Sequence, residues 1–136
     1  MREILFRGKR TDNGEWVEGY YYKAKYCRTD DELCDYITVP HIEQCNLPNS
    51  HYIVNPETVG QYTGVTDKNG TKIFEGDIVK RFWFGKMCVY QINYDNGLAS
   101  FIGQAGIKFT TFDYDSEEFE VIGNIYDNKL EDFNNG

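Results

Sequence analysis

Apolar and polar residues alternate with a period of two along much of this chain, and helical periodicity near 3.6 is almost missing. Ile4 and Phe6 alternate with Glu3 and Arg7, and Trp16 opens a second run through Val17 to Tyr22, which predicts strands near 2–9 and 15–24 joined by Thr11-Asp12-Asn13-Gly14. Internal Asn-Gly pairs stand at Asn13-Gly14, Asn69-Gly70 and Asn96-Gly97. This pair is the strongest short-range hairpin signal, because both residues tolerate the positive φ of a type I′ turn. Around the third pair, 87–94 and 98–102 read as a further hairpin. Gly103-Gln104-Ala105-Gly106 then reads as a loop turning the chain into 107–112, and 118–126 as a last strand. One short helical turn is expected after Asn55-Pro56-Glu57, with Asn55 as its cap and Pro56 in its first position.

The least regular stretch is 27–51, which holds three of the four cysteines, both histidines and two of the three prolines. It reads as a long excursion from the first β unit. The second unit opens at Gln61-Tyr62-Thr63-Gly64. In Phe74-Glu75-Gly76-Asp77-Ile78-Val79-Lys80 the Gly-Asp step turns the chain into a strand that places Ile78 and Phe82 inward and Val79 and Arg81 on the other side. Four or five short strands over the remaining length suit a small SH3-like barrel. The expectation is a mostly β protein, with an irregular N-terminal β subdomain over 1–60 and a small SH3-like β-barrel over 61–136.

Composition narrows the class. With 40% apolar residues and 16% aromatics among 136, the protein buries enough surface to fold, unlike a disordered segment. No apolar run approaches the roughly 20 residues of a membrane-spanning helix, and Met1-Arg2-Glu3-Ile4 lacks the apolar stretch of a signal peptide. A soluble, cytoplasmic protein is expected. The net charge is −8, yet residues 1–28 carry seven basic side chains against four acidic ones, a balance of +3. The strongest acidic run, Asp113, Asp115, Glu117, Glu118 and Glu120, would repel a phosphate backbone. That balance argues against nucleic acid as the partner.

Candidate chemistry centres on Cys27, Cys34, His41, Cys45 and His51. Structural zinc sites present ligand pairs two to four residues apart, and here His41 with Cys45 is the one plausible pair. A reducing cytoplasm disfavours disulfides, although Cys27 and Cys34 could bridge on export. A cysteine nucleophile needs a neighbouring base and an oxyanion site, and Ser50-His51, adjacent in an extended segment, point apart. Asp113, Asp115, Glu117 and Glu118 lack the glycine and glutamate placement of an EF-hand, and read as a solvated turn. Gly103-Gln104-Ala105-Gly106 matches the GxxG of RNA-binding loops in letters only, since those loops join helices. The expectation is therefore no catalytic set, no metal and no cofactor. The aromatic runs Tyr20-Tyr21-Tyr22 and Phe82-Trp83-Phe84 must place rings on both faces of a strand. Beside Lys23, Lys25, Arg81 and Lys86 such rings could stack bases or anchor a protein, but burial of both faces, by the other subdomain or a second copy, is the favoured reading.

Three blocks together resemble the YopX-like family of phage and prophage proteins. They are Met1-Arg2-Glu3-Ile4 with Phe6-Arg7-Gly8-Lys9 and Asn13-Gly14-Glu15-Trp16-Val17; Pro56 to Gly64 with Asp67-Lys68-Asn69-Gly70 and Ile73 to Val79; and Glu120-Val121-Ile122-Gly123-Asn124-Ile125-Tyr126. Residues 23–50 and 82–117 match no part of the pattern. The resemblance implies a mostly β protein with an irregular first part and an SH3-like second part, encoded by a bacteriophage or an integrated prophage, which makes the expected cytoplasm that of the bacterial host. It carries over no activity and no site residue. The leading expectation is a non-enzymatic accessory protein that binds a phage or bacterial host protein and forms a homo-oligomer. Behind it stand a nucleic-acid-associated protein using Arg2, Arg7, Lys9, Arg10 and the segment around Trp83, and a small metal-dependent or cysteine enzyme built on Cys27 to His51.

Overall fold

The structure, a computed structural model, describes residues 4–27, 36–44, 50–83, 85–98, 100–105, 108–111 and 118–128. Its strands are β1 (Phe6–Lys9), β2 (Trp16–Cys27), β3 (Tyr36–Glu43), β4 (His51–Ile53), β5 (Gly60–Thr66), β6 (Lys72–Phe74), β7 (Asp77–Trp83), β8 (Lys86–Asp95), β9 (Ser100–Ala105), β10 (Lys108–Thr111) and β11 (Glu120–Asn124). Every pairing is antiparallel, and no α-helix occurs among the described residues. The fold is mostly β, as the alternation predicts. One 3-10 turn, Pro56–Thr58, stands where the Asn-Pro-Glu signal puts it, with the Asn55 side chain accepting from the Glu57 N–H. No helix of the described residues is long and apolar enough to cross a membrane.

Contacts group the protein into two compact units, one of residues Ile4–Gln61 and one holding the described residues from Tyr62 onward. In the first, the strand order is β4-β3-β2-β1, and Gly60 and Gln61 at the start of β5 pair with β1. Val17, Ile42 and Val54 are buried together, with Phe6, Tyr21, Tyr52 and Val59 packed on them. Gly8 is closely packed here: a Cβ would lie 3.2 Å from both Ile42 Cδ1 and Val54 Cβ, tighter than ordinary contact. Thr58 is buried and fixes the 3-10 turn to β1, its hydroxyl accepting from Lys9 N at 2.9 Å and donating to Asn55 O at 2.6 Å.

The irregular excursion expected over 27–51 is replaced, in its described part, by β3 and β4. β3 pairs with β2 along its whole length, from Tyr20↔Glu43 to Cys27↔Tyr36. Pro40 is tolerated because the N–H and C=O of a strand residue point to the same side. Pro40 O accepts from Val54 N, so the missing N–H falls away from the β2 ladder.

In the second unit the sheet order is β10-β9-β8-β7-β11, and the rest of β5 pairs with β6. Ile73, Val79, Tyr90, Ile92, Phe101 and Phe119 form the core. The expected barrel does not close among the described residues, because β10 and β11 are the two edges of an open sheet. The 103–105 segment expected as a loop lies in β9, paired with β10 and β8. The faces assigned to β7 also need correction. Ile78 and Val79 are both fully buried, Arg81 is buried, and Phe82 is 63% exposed. Arg81 follows Val79 onto the core face, where its guanidinium lies 5.5 Å from the Tyr90 ring and 5.0 Å from Phe119.

Of the Asn-Gly turns, Gly14 and Gly70 adopt positive φ (73° and 83°). Each ends a loop longer than the two-residue type I′ form, with Lys9 opposite Trp16 and Thr66 opposite Lys72. Gly97 keeps φ outside the left-handed region, and its N–H donates to Asp95 Oδ1 at 2.8 Å. The last two blocks of the family pattern are stitched together in this unit. Asp67 Oδ2 accepts from Val121 N at 2.9 Å, Lys68 N donates to Phe119 O, Ile125 N donates to Gly76 O, and a Cβ at Gly76 would meet the Tyr126 ring at 3.0 Å.

Candidate functional site

In the first unit, alternation along β2 sorts the tyrosines. Val17 and Tyr21 turn to the Ile42 core, and Trp16, Glu18, Tyr20 and Tyr22 take the opposite face. Register carries that face across the sheet, from Arg7 opposite Glu18 and Lys9 opposite Trp16 to Tyr20 opposite Glu43 and Tyr22 opposite His41. It ends on β4, where His51 and Ile53 stand opposite Glu43 and His41. Tyr20 is 58% exposed, and Tyr22 and Ile53 are exposed as well. Within their own units these two tyrosines and Phe82 are exposed.

The face has an apolar end and a cationic end. At the first, the His41 ring stacks on Tyr22 with centroids 5.2 Å apart and planes 11° from parallel, and His51 stands 6.1 Å from His41. His41 is 2% exposed, and its Nδ1 lies 2.9 Å from Val39 O. At the second, the Arg7 guanidinium lies 4.7 Å from the Trp16 ring centroid and Lys9 Nζ 5.5 Å. On the opposite face, the side of the Ile42 core, Arg10 lies 4.2 Å from the Tyr52 ring and pairs with Asp12 at 2.6 Å. The side-chain hydrogen bond from Arg10 holds the Asp12 carboxyl below its ordinary range, and the same bond pushes Arg10 up. Rings and cations together make a surface suited to binding.

The residues weighed for metal or thiol chemistry are brought together only in part. His41 and His51 are neighbours across β3 and β4. Cys34, Cys45 and the Cys27 side chain lie outside the described residues, as do Asp113, Asp115, Glu117, Phe84 and the side chains of Lys25 and Trp83. Lys23 is exposed on β2. Cys88 is a half-buried free thiol. Glu118 is exposed, whereas Glu120 is bridged by Lys68 at 3.5 Å and Lys80 at 3.4 Å, so it is no part of a free acidic cluster. Sequence reasoning missed Ile53 and the sheet role of His41. The β-branched residues Ile37, Thr38, Val39 and Ile42 were the signal for β3, obscured by Pro40 and the surrounding cysteines.

The crystal structure of protein EF1440 from Enterococcus faecalis is similar to this protein, with a TM-score of 0.52 and 20% sequence identity, covering 96% of this chain and 99% of that one. At that identity the likeness shows the fold. No curated protein matches the sequence. The model of the YopX protein family matches residues 5–131, nearly the whole length, and the chain belongs to that family.

Proposed function

We propose that this protein is an accessory protein of a bacteriophage or prophage, working in the bacterial cytoplasm, and that it acts by binding another protein rather than by catalysis. The contact is the β1–β4 face bearing Tyr20, Tyr22 and Ile53. The observation that carries this reading is the exposure of those three side chains on one face of a paired sheet, which also bears Arg7 and Lys9 held over Trp16. Tyr, Trp and Arg are the residues that dominate binding energy at protein interfaces, and strands hold them without an ordering cost at the moment of contact.

The test compares the tagged full-length protein with a Tyr20→Ser, Ile53→Ser double variant, using lysates of bacteria with and without an induced phage. One protein retained by the wild type in near-stoichiometric amount, and retained at least about tenfold less by a variant with an unchanged melting curve, supports the reading. Equal retention by both forms excludes this face. A dimeric mass by light scattering that the double variant reduces to a monomer would make the partner a second copy. Micromolar affinity for duplex DNA or single-stranded RNA that falls steeply with salt, and that Arg7→Ala with Lys9→Ala weakens, would replace the protein partner by nucleic acid.

A further inference from the structure

We propose that Asn96 is a site of spontaneous deamidation, and that the fold protects the same Asn-Gly pair at Asn13 and Asn69. In this reaction the backbone nitrogen after an asparagine loses its proton and attacks the Cγ atom of the carboxamide. The new N–Cγ bond closes a succinimide ring, the bond from Cγ to the amide nitrogen Nδ2 breaks, and Nδ2 leaves as ammonia with that proton. Water then adds to either ring carbonyl and opens the ring to aspartate or to isoaspartate, in which the main chain runs through the former side chain. Glycine in the second position leaves the attacking nitrogen least shielded, so these three internal pairs, like Asn135-Gly136 outside the described residues, share the same local chemistry.

Their surroundings differ. At Asn13 the carboxamide is held, its Oδ1 accepting from Glu15 N at 2.9 Å, and the attacking nitrogen of Gly14 donates to Arg10 O at 3.0 Å. At Asn69 the attacking nitrogen of Gly70 donates to Asp67 O at 3.0 Å. The buried Asp67 carboxylate also holds the backbone N–H groups of Asn69 and Thr71, at 2.8 and 2.9 Å. Freeing either nitrogen means opening a backbone turn. At Asn96, as at Asn69, the carboxamide makes no hydrogen bond among the described residues and is exposed, so the difference from Asn69 lies in the attacking nitrogen. The nitrogen of Gly97 is held by the side chain of Asp95, at 2.8 Å, so rotating one side chain releases it with the hairpin intact. Conversion adds a negative charge to a protein already at −8, and the isoaspartate form lengthens the main chain between β8 and β9.

The test incubates the full-length native protein in mildly alkaline buffer and follows, peptide by peptide, the small mass gain of an amide converted to an acid, with isoaspartate separated by chromatography. Asn96 is expected to convert at least about tenfold faster than Asn13 and Asn69. In urea-unfolded protein the three rates are expected to converge. Equal rates in the native protein, or faster conversion at Asn13 or Asn69, would overturn the proposal. A rank order unchanged by unfolding would also overturn it, because flanking residues rather than the fold would then be responsible. Asn96→Gln is expected to abolish the signal from its peptide, and a persisting signal would place the reaction elsewhere.

Discussion

Asp67 shows how far a single carboxylate can reach. It is 5% exposed, yet its two oxygens accept three backbone N–H bonds, Oδ1 from Asn69 and Thr71 and Oδ2 from Val121. Burial pushes its carboxyl up, and the N–H bonds from Val121, Thr71 and Asn69, with a smaller contribution from the Lys68 charge, outweigh that and leave it below the ordinary 3.8. A carboxyl lowered in the folded state stabilises the fold fully above its unfolded value. That stabilisation is lost as pH falls through the lower folded value. Asp67→Asn keeps an acceptor for one set of donors but turns an NH2 or a weaker oxygen toward the other. We expect it to cost about 1–3 kcal/mol near neutral pH, with the gap from wild type narrowing below the carboxylate range. Urea midpoints measured against pH read both effects, and a gap that stays constant into acid would contradict them. The Asn69-Gly70 turn was legible from its own residues. The reach of Asp67 to Val121 was not, because local pattern carries no information on which strand a loop docks against.

At the scale of elements, hairpins and the 3-10 turn were legible because short-range chemistry specifies them: Gly14 and Gly70 take positive φ, and Asn55 caps Pro56–Thr58. β3 was hidden by Pro40, whose cost depends on which edge its missing N–H faces. Barrel closure was overread, since the number of strands does not say whether edge strands such as β10 and β11 meet. The β2–β3 region supplies a sharp test. A Cβ built on Gly19 would fall on the Glu43 carbonyl, with Gln44 Cα 3.0 Å away. Backbone cannot yield as a flexible side chain does, so Gly19→Ala should destabilise the protein by roughly 3 kcal/mol. A thermal melt reads the loss, and an unchanged melting temperature would mean that β3 does not cross there.

For the whole molecule, charge and aromatic content set the range of partners and the strand register narrows it. Of the basic residues in 1–28, Arg7 and Lys9 rest on Trp16 and Arg10 on Tyr52, so these three cations lie against rings. Alternation alone showed that the run Tyr20-Tyr21-Tyr22 puts rings on both faces, whereas which face is open, and the place of Ile53 on it, became legible only once β3 and β4 were paired. The link between Asp67 and Val121 has a consequence for the lifetime of the folded state. It joins residues 54 apart, while β7, β8 and β9 pair through short connections. Closing a long loop costs chain entropy before its contacts repay it, so the link should form after the folding barrier is crossed. In stopped-flow measurements Asp67→Asn is then expected to raise the unfolding rate and leave the refolding rate nearly unchanged, and slower refolding would place the link in the nucleus instead. On this account a single buried carboxylate governs how long the second unit stays folded, and has little part in how fast it folds.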